Sequence, residues 1–194
     1  MIHPTRITNF DLNHFQLEEV ILFWVSAAGK NAITASKILD KFLIYIHDKT
    51  STHYYEPFMA IRKFGHESLS ETMKKFGFGC YKNKSSTFWD LANSGLNLKT
   101  CSLEQLESIK GIGMKTSRCF LIHSRKNVNC AGLDVHILRM LRDIGYDVPK
   151  NTPSSMKKYL EIENIFLDLV KKSNSSVAEF DLQNWKNQSG RTNY

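Results

Sequence analysis

A lysine that follows a glycine-rich turn is the feature of this chain best suited to chemistry. Residues 110–115 read Lys-Gly-Ile-Gly-Met-Lys, between two stretches whose apolar residues recur at helical spacing. Glycine lets a backbone approach a ligand closely, so the amides around Gly111 and Gly113 can point together at an anion. The run predicts two helices and a hairpin turn that bind a phosphate, with Lys115 beside it as a nucleophile. A helix C-cap before a new helix would give the same residues.

A carboxylate follows the hairpin at the start of another helix. Residues 132–141 read Gly-Leu-Asp-Val-His-Ile-Leu-Arg-Met-Leu, which places Asp134 at the N-cap position of an amphipathic segment. A capping role alone would explain this aspartate. Its combination with Lys115 favours a second role in the same site.

Together, the two segments resemble the helix-hairpin-helix DNA glycosylases of the endonuclease III superfamily. The resemblance implies that Lys115 attacks the sugar of a modified nucleotide and that Asp134 supports the charge that develops. A carboxylate near the sugar stabilises the positive charge that base departure creates. An amine that attacks the anomeric carbon forms a Schiff base, which permits strand cleavage by β-elimination. Lyase activity is therefore expected beside base excision.

The C-terminal third is similar to the tail of type-2 8-oxoguanine DNA glycosylases. Residues 158–165 and 179–185 carry this similarity, and an aromatic and basic turn at 77–84 extends it over most of the chain. The resemblance implies 8-oxoguanine as the leading substrate. Residues 188–194 depart from the Thr-Gly-Lys-like end of that subgroup, so another modified base, such as a hypermodified cytosine of a viral genome, stays an alternative.

The pattern of the whole chain predicts an all-α fold of about ten helices in two lobes. Apolar residues recur at helical spacing between turns that are rich in glycine and proline. We expect residues 31–133 to form a central helical barrel with the hairpin at 102–126. Residues 1–30 and 134–194 would form the second lobe of this single domain, with the active-site cleft between the lobes.

The resemblance implies that three residues hold the modified base, which must leave the base stack before an enzyme can reach it. Cys119 lies one helical turn beyond Lys115 and projects on the same face, where a sulfur can pack against a purine. Asp181 and Trp185 are one turn apart and would present a hydrogen-bond acceptor and an aromatic platform. Alternatively, Cys119 is a small buried core residue. Asp181 would then be a helix N-cap and Trp185 a core aromatic residue.

Six positions are expected to face the DNA backbone or the gap that the base leaves. Related enzymes carry Ser-Ala-Gln where this chain has Ser-Ala-Ala at 26–28, so Lys30, Asn31 or another loop is expected to supply the wedge in place of the glutamine. His136 has a phosphate-binding counterpart in the family. Surface roles without DNA are the alternative for the lysines. The expected contacts are Lys30, Asn31, Lys82, Lys84, Lys110 and His136.

The charge balance favours a polyanionic partner. The 194 residues include 26 Lys and Arg against 19 Asp and Glu, which gives a net charge of +7. The expected partner is double-stranded DNA with a modified base, bound by a monomer. A non-catalytic DNA-binding module is a further alternative, because helix-hairpin-helix elements also bind phosphates without chemistry.

The cysteines argue against a metal site and against a secreted scaffold. Cys80, Cys101, Cys119 and Cys130 lack zinc-ribbon spacing, and no cysteine follows the last of them. The four-cysteine iron-sulfur site that endonuclease III relatives carry after the aspartate therefore cannot form, and no cofactor is expected. Because the cysteines lack the even pairing of a small secreted scaffold, we expect a reducing, intracellular setting. The longest apolar run is too short to cross a bilayer, so no membrane segment is expected.

Overall fold

The predicted all-α fold is confirmed. The computed structural model describes residues 2–52 and 56–189, and within these ranges it has ten α-helices, one short 3-10 helix and no strand. The 3-10 helix spans Pro4–Arg6. The helices are α1 His14–Ala27, α2 Ala32–Thr50, α3 Pro57–Phe64, α4 His66–Lys75, α5 Tyr81–Asn93, α6 Leu103–Glu107, α7 Met114–Ser124, α8 Val135–Asp143, α9 Met156–Ser173 and α10 Val177–Ser189.

Side-chain caps fix where several helices begin. Asn13 and Gln16 exchange side-chain and backbone hydrogen bonds of 2.9 Å at the start of α1. Ser102 and Gln105 do the same at the start of α6. Each pair satisfies two backbone amides that the first turn of a helix leaves without partners. The first helix of the hairpin is therefore anchored by its own sequence.

Two hydrophobic clusters form the interior. The first cluster contains buried residues of the six helices α1 through α6 and of the inner face of α7. The second contains buried residues of α8, of α9 and of the segment that precedes α8. The helix α10 contacts α7, α8 and α9, so it lies beside both clusters. Of the helices in the described ranges, none combines the length and apolarity that a bilayer span requires.

The apolar side chains of α1 belong to the first cluster, with those of α2 and α3. Residues 20–23 are four consecutive buried residues, so this part of α1 is covered on most sides. The division into a barrel of residues 31–133 and a second lobe of residues 1–30 with 134–194 stays a prediction.

A buried ionic cluster connects the hairpin to the second hydrophobic cluster. The guanidinium of Arg118, on α7, donates to Glu107 at 2.6 Å and to Glu163, on α9, at 2.9 Å. The carboxylate of Glu163 also accepts the Ala131 backbone N–H at 2.7 Å. The same guanidinium lies over the ring of Tyr159, 4.8 Å from its centroid. The cluster thus joins α6, α7, α9 and the chain just before Asp134.

Replacing Glu163 by leucine should lower the free energy of unfolding by about 3 kcal/mol, because a buried guanidinium loses one of its two carboxylates. Urea unfolding followed by circular dichroism measures the change. The matched control is Glu161→Leu on the same helix, where the carboxylate is half exposed and pairs with Lys158 at 3.3 Å. That variant should change stability by less than about 1 kcal/mol. Equal midpoints for the two variants would contradict the prediction.

Candidate active site

A cavity of about 390 Å³ brings together the residues that the sequence singled out for chemistry. Its walls come from the junction of α1 and α2, from α7, from the start of α8 and from α10. Lys115 and Asp134 lie in the same cavity as Cys119, Asp181 and Trp185. The volume falls in the range of small-ligand sites. The chain thus folds five separated residues into one recess.

The hairpin turn depends on one of its two glycines. Gly111 has a φ of +93°, and a Cβ atom there would lie 2.0 Å from the hydroxyl oxygen of Thr87. That hydroxyl donates to the Lys110 carbonyl at 2.9 Å, so α5 holds the turn. Gly113 is the N-cap of α7 with an extended backbone, and a Cβ atom there would meet nothing within 4 Å. Both glycines and Lys110 are exposed, so the amides at the start of α7 are accessible to an anion.

One face of α7 lines the cavity at intervals of one helical turn. Lys115, Cys119 and His123 all border it, four residues apart. Lys115 is half-buried at the first turn, and Cys119 and His123 are buried deeper along the helix. Burial raises the pKa of Cys119 well above its ordinary value, with the charge of Lys115 opposing, so the sulfur is a neutral thiol.

Asp134 caps α8 and faces Lys115. Its Oδ1 atom accepts the backbone N–H groups of His136 at 2.8 Å and of Ile137 at 2.9 Å. Burial raises the pKa of Asp134, and the positive charge of Lys115 acts in the opposite direction. The helix N-terminus and the lysine both favour the carboxylate form, whereas desolvation disfavours it. The capping role and a role in the cavity are therefore combined in one side chain.

His136 also lines this cavity. Its side chain is buried against the ring of Trp185, edge to face, with 6.4 Å between the centroids. Its Nδ1 atom has no hydrogen-bond partner among the described residues. A buried ring nitrogen without a partner is a position that a ligand oxygen can fill.

The sulfur of Cys119 packs on Gly132, just before the aspartate. A Cβ atom on Gly132 would lie 2.1 Å from that sulfur. Gly132→Ala should therefore cost about 1 to 3 kcal/mol of stability through overpacking, as measured by urea unfolding. The double variant with Cys119→Ala should recover part of the loss, since the closest contact disappears. Additive losses in the double variant would contradict this contact as the cause.

Lys84 does not lie on an accessible surface, contrary to the sequence-based expectation of a DNA contact. It is 6% exposed, and its ammonium donates to the carbonyl of Ser26 at 2.7 Å and of Ala28 at 2.9 Å. Burial lowers the pKa of this lysine. The side chain thus caps the C-terminal end of α1, while Lys82, two residues earlier, is exposed.

The loop that Lys84 holds forms one edge of the cavity. Lys30 and Asn31 both border it. The side chain of Asn31 accepts the Thr34 backbone N–H at 3.0 Å, so this residue is also the N-cap of α2. Residues 188–194 differ in sequence from the Thr-Gly-Lys-like end of the type-2 subgroup. Of these, residues 190–194 lie outside the described residues.

His123 and Trp24 also line the cavity, but neither was singled out from the sequence. His123 binds the carboxylate of Asp181 through Nε2 at 3.0 Å, and Trp24 stacks on the imidazole with a centroid distance of 5.5 Å. The spacing that identified Cys119 also points to His123, one turn further along α7. For Trp24 the signal was hidden, because it lies within the long apolar run of α1.

Among the described residues, no three side chains of His, Cys, Asp or Glu lie close enough together to hold a metal ion. Cys101, Cys119 and Cys130 are buried and Cys80 is exposed, all four as free thiols.

Comparison with known proteins identifies the family. The family model Ogg-HhH, 8-oxoguanine DNA glycosylase, matches residues 59–175. The 8-oxoguanine DNA glycosylase/AP lyase of Methanocaldococcus jannaschii is 33% identical over 139 residues, which is 64% of this chain and 64% of that protein. The protein of the same name from Picrophilus torridus is 36% identical over 89 residues, 44% of this chain and 40% of the relative. These alignments span less than two thirds of either relative.

Solved structures agree with this match. The crystal structure of the Methanocaldococcus jannaschii 8-oxoguanine glycosylase/lyase in complex with 15mer DNA containing 8-oxoguanine superposes with a TM-score of 0.70 at 26% identity, and the match covers 95% of this chain and 88% of that one. The 8-oxoguanine DNA glycosylase of Thermotoga maritima, at 22% identity and a TM-score of 0.65 over 89% of this chain and 79% of that one, shares the fold. The chain belongs to the helix-hairpin-helix 8-oxoguanine DNA glycosylase family.

Proposed function

We propose that this protein is a DNA glycosylase and AP lyase that extrudes 8-oxoguanine from double-stranded DNA, removes it and cleaves the strand. The observation that carries the proposal is the convergence of Lys115 and Asp134 in one cavity beside an accessible hairpin. Membership of the family and the names of the aligned relatives support the same substrate. All the proposed chemistry uses side chains of this chain.

The proposed reaction begins with Lys115. Its ammonium gives up a proton, and the resulting amine attacks C1′ of the extruded nucleotide. The bond from C1′ to the base breaks, and the base leaves with the bonding electrons and takes up a proton. The Asp134 carboxylate stabilises the positive charge that develops on the sugar. Ring opening gives a Schiff base between the amine and C1′. Loss of a C2′ proton then expels the 3′ phosphate by β-elimination, and hydrolysis returns the free lysine.

We propose that the base occupies the space between Cys119 and Trp185. A neutral sulfur and an indole ring both pack well against a flat heterocycle. Asp181 accepts hydrogen bonds from the edge of the base, which favours a base with N–H donors on that edge. His136, beside Trp185, has an unpartnered ring nitrogen that suits a backbone phosphate.

The hairpin is the proposed contact with the DNA backbone on the outer side of the site. The amides at the start of α7 and the exposed Lys110 bind a phosphate near the extruded nucleotide. The exposed Lys82 provides a further positive charge for the DNA backbone. Lys30 and Asn31, which line the cavity, replace the wedge residue. A monomer provides all of these groups.

The proposal is tested with end-labelled duplexes that each carry one modified site. The set contains 8-oxoguanine, uracil, an abasic site, and hydroxymethylcytosine with and without glucose, and borohydride is added to half of each reaction. Cleavage and trapping at 8-oxoguanine and at the abasic site are expected. Activity confined to a hydroxymethylated cytosine would keep the chemistry and overturn the substrate. Binding without cleavage of any duplex would overturn the enzymatic proposal in favour of a DNA-binding module.

A further inference from the structure

The carboxylate of Asp181 is held from behind by a buried histidine. Nε2 of His123 lies 3.0 Å from Oδ2 of Asp181, and Nδ1 of the same ring lies 2.8 Å from the hydroxyl of Thr8. The His123 side chain is 1% exposed, and that of Asp181 is 14% exposed, although both border the cavity. A continuous chain of hydrogen bonds therefore runs from the N-terminal segment through α7 to α10.

The partners of the ring decide which nitrogen carries the proton. An ionised carboxylate only accepts hydrogen bonds, so Nε2 of His123 must donate to Asp181. In the neutral imidazole, Nδ1 then accepts the hydroxyl proton of Thr8. The ring also lies nearly parallel to Trp24, at an interplanar angle of 14°. With both nitrogens bonded and one face stacked, the imidazole has a single orientation.

This arrangement leaves one oxygen of Asp181 as a hydrogen-bond acceptor for a base in the cavity. Its Oδ2 atom is occupied by His123, and no hydrogen bond to Oδ1 is found among the described residues. His123 lies two helical turns beyond Lys115 on the same face of α7. Lys115 and His123 are therefore held at a fixed separation by one helix, and His123 in turn binds Asp181.

We propose that His123 is a positioning residue, which fixes the Asp181 carboxylate so that it selects an extruded base with N–H donors on its edge. The inference rests on the proposed function, since it assigns the way in which that site holds its base. His123 itself touches no reacting atom. It acts by preventing rotation of the carboxylate, because one carboxylate oxygen stays bonded to the ring.

The test compares base excision with cleavage of a preformed abasic site, which contains no base to be held. His123→Phe removes both ring nitrogens and keeps a flat ring against Trp24. It should slow single-turnover excision from the 8-oxoguanine duplex by about 10- to 100-fold, the scale of a hydrogen bond to a charged group. Cleavage of the abasic duplex should stay within about twofold, because Lys115 and the hairpin are unchanged.

A conservative variant separates positioning from packing. The side-chain amide of His123→Gln can still donate to Asp181, so this variant should recover at least about tenfold of the excision rate lost in His123→Phe. Unchanged excision in His123→Phe, equal losses on both duplexes, or no recovery with glutamine would each overturn the inference. Wild-type failure on 8-oxoguanine would instead overturn the proposed substrate, and the His123 comparison would then use the base that wild type releases.

Discussion

Lys115→Gln is expected to abolish borohydride trapping and to reduce cleavage at an abasic site by about 10³-fold or more, the scale for loss of a covalent nucleophile. Glutamine keeps a similar length and polarity at the first turn of α7, but its amide cannot form a Schiff base. Lys115 is half-buried and lines the cavity, so the substitution should leave the fold intact. The measurement is trapping on end-labelled duplexes, with unfolding curves as a check.

Lys110→Gln is the matched control for this variant. Lys110 lies on the same hairpin, five residues earlier in the sequence, and is exposed. Its loss should weaken DNA binding and reduce the salt dependence of that binding by about one counterion, while trapping at saturating protein remains. Persistent trapping in Lys115→Gln, or its loss in Lys110→Gln alone, would overturn the assignment of the nucleophile.

Asp134→Asn is expected to slow base excision by about 10²- to 10³-fold, because a neutral amide cannot stabilise positive charge on the sugar as a carboxylate does. Asparagine is as good an N-cap as aspartate. Its oxygen can still accept the His136 and Ile137 amides, so α8 should keep its start. Single-turnover excision from an 8-oxoguanine duplex measures the effect.

A second variant separates charge from capping. Asp134→Ala removes both, so it should also lose about 1 kcal/mol or more of stability, whereas Asp134→Asn should not. In wild type, burial raises the pKa of Asp134 above its ordinary value of 3.8, so excision should decline on acidification at a higher pH than for an exposed aspartate. Equal excision by wild type and Asp134→Asn would remove the carboxylate from the mechanism.

The sequence predicted the family and fold because its strongest local signals coincide with the site. The hairpin turn requires glycine at position 111, and α8 requires a capping residue at Asp134. Both constraints are local, so they can be recognised in a single sequence. The family and all-α fold are now confirmed. The roles of Lys115 and Asp134 stay predictions until they are measured.

The residues that were missed or misplaced depend on contacts between distant segments. Lys84 was taken for a surface charge, yet it shares the buried face of α5 with Phe88 and Leu91. That spacing indicated an inward position, but only the fold supplies the carbonyl groups of α1 that make burial of an ammonium tolerable. His123 likewise gains its partners from Thr8 and Asp181, at opposite ends of the chain.

The ionic cluster around Glu163 restricts which substitutions its members can undergo during evolution. This carboxylate holds Arg118, one turn beyond Lys115 on α7, and the backbone of Ala131, just before Asp134. A change of Arg118 or Glu163 alone leaves a buried charge without its partner, whereas a joint exchange of Arg118, Glu163 and Glu107 for apolar residues can be tolerated. We therefore expect the three positions to change together as relatives diverge. A transplant of this site onto another scaffold would have to include α9, although none of its residues borders the cavity.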